Sequence, residues 1–164
     1  MAETFTKIAS YSTANNSSTS ITLANIPQIY TDLLVVANGR GNTGGGALNV
    51  RLNGDTGSNY QQNYHWNNSS ISTAGSTSAT FGGMGRITQS SSNVNGGGWA
   101  YFANYTSAFY KSWTSRSIHN NINISYNNTW RNTAAITSMT ISIESSSAFD
   151  TDFRFDFYGI LKAS

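Results

Sequence analysis

Asp152-Phe-Arg-Phe-Asp-Phe-Tyr-Gly-Ile-Leu161 is the stretch that decides the fold class. Phe153, Phe155 and Phe157 fall on one face of an extended strand, with Arg154 and Asp156 on the other. Strict period-two alternation marks a half-buried antiparallel strand. This run is expected to be pinned into the core. Further strand-like runs lie near 4–9, 18–24, 31–38, 47–53, 79–88, 99–105, 117–126 and 134–144. Turn clusters separate them at 15–18, 39–46, 53–59, 93–98 and 127–132. Many short strands with regular turn signals predict an all-β chain. The architecture expected is a single antiparallel β-sandwich, jelly-roll-like, of about eight or nine strands. Residues 1–164 read as one domain, with 1–20 a candidate flexible N-terminal arm.

Composition narrows the function classes. Ser, Thr and Asn make up roughly two-fifths of the chain, which favours turns and exposed strand positions over helix interiors. Aromatics at 13% separate it from a disordered polar tract. Only 10% of residues are charged and the net charge is +2, with Lys and Arg scattered singly from Lys7 to Lys162. No basic run is present to track phosphates, so nucleic acid is not an expected partner. Cysteine is absent, which removes disulfides and thiolate metal sites. The longest apolar run, Leu33 to Ala37, is a strand, so no membrane insertion is expected, and the N-terminal residues carry no signal-peptide pattern.

Two runs are apolar on both faces. One is Leu33-Leu34-Val35-Val36; the other is 99–105, where Trp99, Tyr101 and Tyr105 share a face opposite Phe102. A sandwich core covers one face of each sheet, so a loop or a second subunit is expected over the other. The stretch 60–78, with Tyr60, Tyr64, His65 and Trp66, reads as a long loop. It is either a sugar-stacking or partner-docking surface or a plug that tucks Trp66 under the sandwich.

Motifs of chemistry are weak. Gly39-Arg-Gly-Asn-Thr-Gly44 matches a dinucleotide fingerprint but is followed by a strand pattern, not the helix that would hold a pyrophosphate. Residues 53–59 lack the terminal Glu of a calcium loop, and Asn53-Gly54 reads instead as a hairpin turn. His119 is expected at the surface, and Asp156 beside Arg154 as a surface pair. No nucleophile elbow and no carboxylate pair across a cleft can be identified. The chain is read as a non-enzyme without cofactor or metal.

Five segments in order, IPQIYTDLLV (26–35), NGDTGSNY (53–60), FANYTSAFYKSW (102–113), NTAAITSMTI (132–141) and FDFYGIL (155–161), carry a resemblance. The chain resembles a family of small virion structural proteins of tailed bacteriophages, many from aquatic hosts. The resemblance spans about 21–161, and 61–78 departs most from the family pattern. It implies a particle component, assembled in the host cytoplasm and displayed on the virion surface. The leading expectation is a capsid decoration (cement) protein that binds the major capsid protein and copies of itself, as a homotrimer. Leu34, Val36 and Phe102 would then supply subunit contacts. The alternative is a tail-fibre or receptor-binding component recognising host surface glycans, with Tyr64, Trp66, Tyr110 and Trp113 as the candidate surface.

Overall fold

The computed structural model describes residues 4–13, 18–42, 46–68, 70–89, 94–144 and 148–161. Twelve strands run through them: β1 Phe5–Ser12, β2 Ser20–Leu23, β3 Asp32–Gly41, β4 Gly46–Leu52, β5 Tyr60–Asn67 and β6 Ile71–Ala79. The second half holds β7 Gly82–Gln89, β8 Gly96–Phe102, β9 Lys111–His119, β10 Ile122–Trp130, β11 Met139–Ile143 and β12 Arg154–Ile160. Eight form one antiparallel sheet in the order β1-β12-β3-β8-β9-β10-β5-β6, and four form a second, β2-β11-β4-β7. A two-residue parallel bridge, Arg40–Thr88 and Gly41–Gln89, ties β7 to β3. The architecture is an all-β sandwich of an eight-stranded and a four-stranded antiparallel sheet.

The deciding strand lies where its pattern puts it. β12 is clasped between β1 and β3, and Phe153, Phe155 and Phe157 are buried. Phe149, Phe153 and Phe155 meet at ring-centroid distances of 4.7–5.2 Å, within the favourable range for tilted and edge-on rings. On the opposite face Asp156 is more than a surface group. It accepts hydrogen bonds from Ser10 (2.7 Å), Lys7 (2.9 Å) and Arg154 (3.0 Å). Partial burial opposes its charge, but these bonds outweigh burial and push its pKa down to about 2. Of the candidate N-terminal arm, residues 5–12 are β1, zipped along β12; 1–3 and 14–17 lie outside the described residues.

Three expectations are corrected. The supposed loop at 60–78 is the β5–β6 hairpin: Tyr60, Gln62, Tyr64 and Trp66 alternate inward against Gln61, Asn63 and His65. Gln62 in the inward row, and the almost wholly exposed β6, hide that period. The single run expected at 117–126 is the β9–β10 hairpin, turning at Asn120 with φ of 49°. Asn53 and Gly54 do form a left-handed two-residue turn (φ 52° and 69°) closed by a bond from Asp55 N to Leu52 O. That turn carries the chain from β4 into the other sheet, and not into a hairpin with β5. Of the glycine-rich stretch, Gly39 to Gly41 extend β3, and 43–45 lie outside the described residues.

What joins the sheets is a strand edge, not only apolar side chains. β7 ends the four-stranded sheet, and its backbone lies against β9 and β10. The Asn128 carboxamide accepts from Gly83 N (2.9 Å) and donates to Gly83 O (3.0 Å), as a neighbouring strand would. Ser115 Oγ (3.0 Å) and Trp113 Nε1 (3.3 Å) donate to that same carbonyl, and Ser117 Oγ accepts from Arg86 N (2.8 Å). So close an approach requires glycine: a Cβ on Gly82 would sit 2.0 Å from the Trp113 ring, and one on Gly83 2.2 Å from Tyr126. Replacing Asn128 with Leu keeps the volume but strips Gly83 N of its partner, and a buried orphan of this kind costs about 1–3 kcal/mol. Asn128→Leu is therefore expected to lower the melting temperature by roughly 2–12 °C, at about 2–4 °C per kcal/mol. Thermal unfolding followed by circular dichroism checks it, with exposed Ser112→Ala as the control expected to stay near wild type.

Candidate functional site

One end of the sandwich is closed by four interlocked segments, 24–31, 53–59, 103–110 and 131–138. The Asn53 side chain donates to Ala135 O (2.8 Å) and accepts from Thr137 N (2.8 Å) and Ser138 N (3.1 Å). Asp55 accepts from Trp130 Nε1 (2.7 Å), Gly57 N (2.8 Å) and Asn59 Nδ2 (3.0 Å). Burial works against the Asp55 charge, yet these donors hold its carboxyl below the usual value. Gln28 Nε2 reaches Ile136 O (3.0 Å), Ile136 N donates to Tyr105 O (3.0 Å), and the Tyr105 hydroxyl donates to Pro27 O. Buried Lys111 directs its ammonium onto the carbonyls of Phe109 (2.5 Å), Ser107 (2.7 Å) and Thr133 (3.3 Å). Burial pushes its pKa down.

On this braced end stand Ile29 and Phe109, 74% and 78% exposed, beside Tyr110 at 57%. Four of the five segments that carry the resemblance, 26–35, 53–60, 102–113 and 132–141, meet here. Their polar residues brace the loops, most of their apolar residues are buried in the core, and Ile29, Phe109 and Tyr110 face solvent. Sequence reading singled out Tyr110 but passed over Ile29 and Phe109. The signal was the Phe109-Tyr110 pair ahead of strictly alternating β9, since consecutive apolar residues cannot both turn inward.

Tyr64 and Trp66 come together elsewhere, in a cleft of about 160 Å³ between β5–β10 and the four-stranded sheet. Both are half-buried. Tyr64 packs on Tyr126 (5.0 Å between centroids), and the Arg86 guanidinium lies 5.4 Å from the Trp66 ring centre, a cation–π distance. Asn49 and Glu144 line the far wall. Trp66 thus stands nearer the plug expected than a presented platform. Tyr110 is about seven residues along the sheet from Trp66, some 20 Å away, and cannot share a ligand site with it.

The remaining candidates divide by side. Phe102 and Trp113 are 1% and 2% exposed and stack on each other at 5.1 Å in the core. Neither is presented to a partner, because β8 points Ala100 and Phe102 inward and Trp99 and Tyr101 outward. Leu34 and Val36 do face outward, half-buried among larger neighbours. One row across the outer face reads Tyr158, Leu34, Tyr101, Thr114, Asn127, Asn63. The next reads Asp156, Val36, Trp99, Arg116, Ser125, His65. Leu34, Val36, Trp99 and Tyr158 make an apolar strip over β12, β3 and β8, with the charged Asp156 at its β12 edge, and the β9–β10–β5 half is polar, with Arg116 its charged residue in these two rows. Between them Tyr101 donates to Asp32 Oδ2 (2.6 Å), while Asn104 N donates to Asp32 Oδ1 (2.7 Å). The bond to Asp32, then burial, raise the Tyr101 pKa to about 12.

No group of three or more His, Cys, Asp or Glu is placed to hold a metal among the described residues. Among them no helix is long and apolar enough to cross a membrane. Comparison with protein-family models, curated proteins and solved structures finds no match for the chain.

His119, expected outside, is buried at the end of β9, and its Nε2 has no hydrogen-bond partner among the described residues. Burial first, and the Arg86 charge second, lower its pKa. The unfolded imidazole protonates near its ordinary 6.5, the folded one only at lower pH. Stability is therefore intact above 6.5 and falls as pH drops from there through the folded value. Asp156, which titrates between 3.8 and about 2, stays charged through the upper part of that fall. Urea titrations at about pH 7.5 and about pH 5 should show wild type losing stability and His119→Gln losing much less. Equal losses would place the titrating group elsewhere.

Proposed function

We propose that this chain is a non-enzymatic bacteriophage virion structural protein, acting as a capsid decoration protein that binds and stabilises the outer shell. The observation that carries this reading is the braced loop end. It presents Ile29, Phe109 and Tyr110 on loops braced by hydrogen bonds, and it is built from the segments that resemble the virion family. Exposed apolar residues fixed in place lose little entropy on docking, so each contributes more to binding than one on a mobile loop. A surface with few charges suits contacts repeated many times by symmetry, where each unpaired desolvated charge would be repeated too. The loop end is assigned to the major capsid protein. The outer strip of Leu34, Val36, Trp99 and Tyr158 is assigned to contacts between copies, in a homotrimer on the particle surface.

A second reading, a tail-fibre or receptor-binding component for host glycans, is favoured by one feature: the neutral amide and hydroxyl half of the outer face.

Purified protein mixed with particles lacking it, then sedimented, tests the first reading. Wild type is expected to co-sediment and raise the temperature at which particles release DNA. Phe109→Ser with Ile29→Ser should reduce retention by about tenfold or more, the loss of a small docking hot spot. Retention unchanged in the double variant would remove the loop end from the interface.

A further inference from the structure

We propose that the trough on the outer face of the eight-stranded sheet, across β8, β9, β10 and β5, is a binding site for a neutral glycan. It builds on the second reading above in taking a sugar as ligand, but needs no tail location. The trough encloses about 470 Å³, within the usual range of small-ligand sites. Four strands wide, it spans roughly 14 Å between outer strands, room for two or three sugar rings.

Its shape follows from side-chain size. The floor carries short hydroxyl residues, Ser112 and Thr114 from β9 and Thr129 from β10. Taller groups stand at the sides, Tyr101 on β8 and Gln61 with Asn63 on β5. Tyr101 is fixed by its bond to Asp32, which holds the ring in place before a ligand arrives. An oriented ring is what the C–H face of a pyranose packs on.

Chemistry selects the ligand class. The side-chain amides of Gln61, Asn63 and Asn127 make no hydrogen bond to another described residue. Each offers two donors and an acceptor, the complement of vicinal hydroxyls. No Lys, Arg, Asp or Glu lines the trough. A phosphate backbone would find no cation there, and uronate or sialate carboxylates would be desolvated without a partner. The strands beneath are sheet-interior, so their backbone cannot pair with an added peptide strand. Uncharged sugars remain. The cleft at Tyr64 and Trp66 is smaller, at about 160 Å³, and carries Arg86 and Glu144, which suits a neutral glycan less.

The test is an array of neutral hexose and N-acetylhexosamine oligosaccharides beside uronate-containing and sialylated ones, followed by calorimetric titration of the strongest hit. Neutral glycans are expected to bind and acidic ones not. Thr114→Arg, at an exposed position in the floor, should fill the trough and weaken binding by more than about tenfold. Asn127→Ala should weaken it severalfold, and Trp66→Ala should leave it unchanged. All three should keep their circular dichroism spectra, and the two trough variants should melt within about 2 °C of wild type. Absence of any neutral hit, preference for acidic glycans, full affinity in Thr114→Arg, or loss confined to Trp66→Ala would each overturn the site. Because the trough and the loop end use different surfaces, glycan binding can fail while co-sedimentation with particles succeeds, and the reverse.

Discussion

The edge of β7 is the constraint on which the molecule turns. A strand that ends a sheet carries backbone N–H and C=O groups that need partners, and burying them bare costs about as much as a lost hydrogen bond for each group. Here the edge is buried against another sheet. Asn128 supplies both an acceptor and a donor to Gly83, Ser115 and Trp113 donate to the same Gly83 carbonyl, and Ser117 takes up Arg86 N. The eight-stranded sheet acts as β7's missing neighbour with its side chains. Two requirements follow at once. The facing strand must be bare, hence Gly82, Gly83 and Gly85; the inward face of β9 and β10 must be polar at the contact, hence Ser115, Ser117 and Asn128, all buried.

The same contact explains why parts of the sequence read cleanly and others did not. β12 was legible because its inward row is all phenylalanine, and its alternation meets an ordinary apolar core. β9 alternates as strictly in burial, but its inward row runs Lys111, Trp113, Ser115, Ser117, His119. Hydropathy sees no period there, since the inward partners are backbone groups and not apolar side chains. His119 was placed outside because 117–126 reads as one strand with Ile118, Ile122 and Ile124 on the other face, whereas the chain turns back at Asn120 and Ile118 is the exposed one. The β5–β6 hairpin was missed likewise: Gln62 sits in the inward row, and β6 is almost wholly exposed. Of the candidate site residues, Leu34, Val36 and Tyr110 were found on surfaces. Phe102 was not, because sequence does not state which of β8's two apolar faces turns inward, and Trp113 was not, because it sits in an inward row otherwise made of polar residues. The long-range bonds of Asn53, Asp55 and Lys111 join segments up to 85 residues apart, beyond the reach of local pattern.

Fold and function meet at the loop end. The loops there are fixed by the same economy seen at β7: side-chain amides, one carboxylate and one buried ammonium occupy backbone groups that no strand pairs. Bracing of this kind fixes the loops that carry the exposed Ile29 and Phe109. The bracing residues and the exposed residues belong to the same segments, 26–35, 53–60, 102–113 and 132–141, so these segments together build one end surface. The outer sheet face adds a second, chemically distinct surface, apolar over β3 and neutral-polar over β9 and β10. Under the proposed decoration role, one of these low-charge surfaces would meet the shell and the other whatever meets the particle.

The most direct measurement is the number of copies per phage particle, by quantitative mass spectrometry against the major capsid protein. A decoration role requires on the order of hundreds of copies, near one per capsid subunit, because icosahedral symmetry repeats every docking position. A few to a few tens of copies would place the chain in the tail, and absence from particles would contradict a virion role altogether.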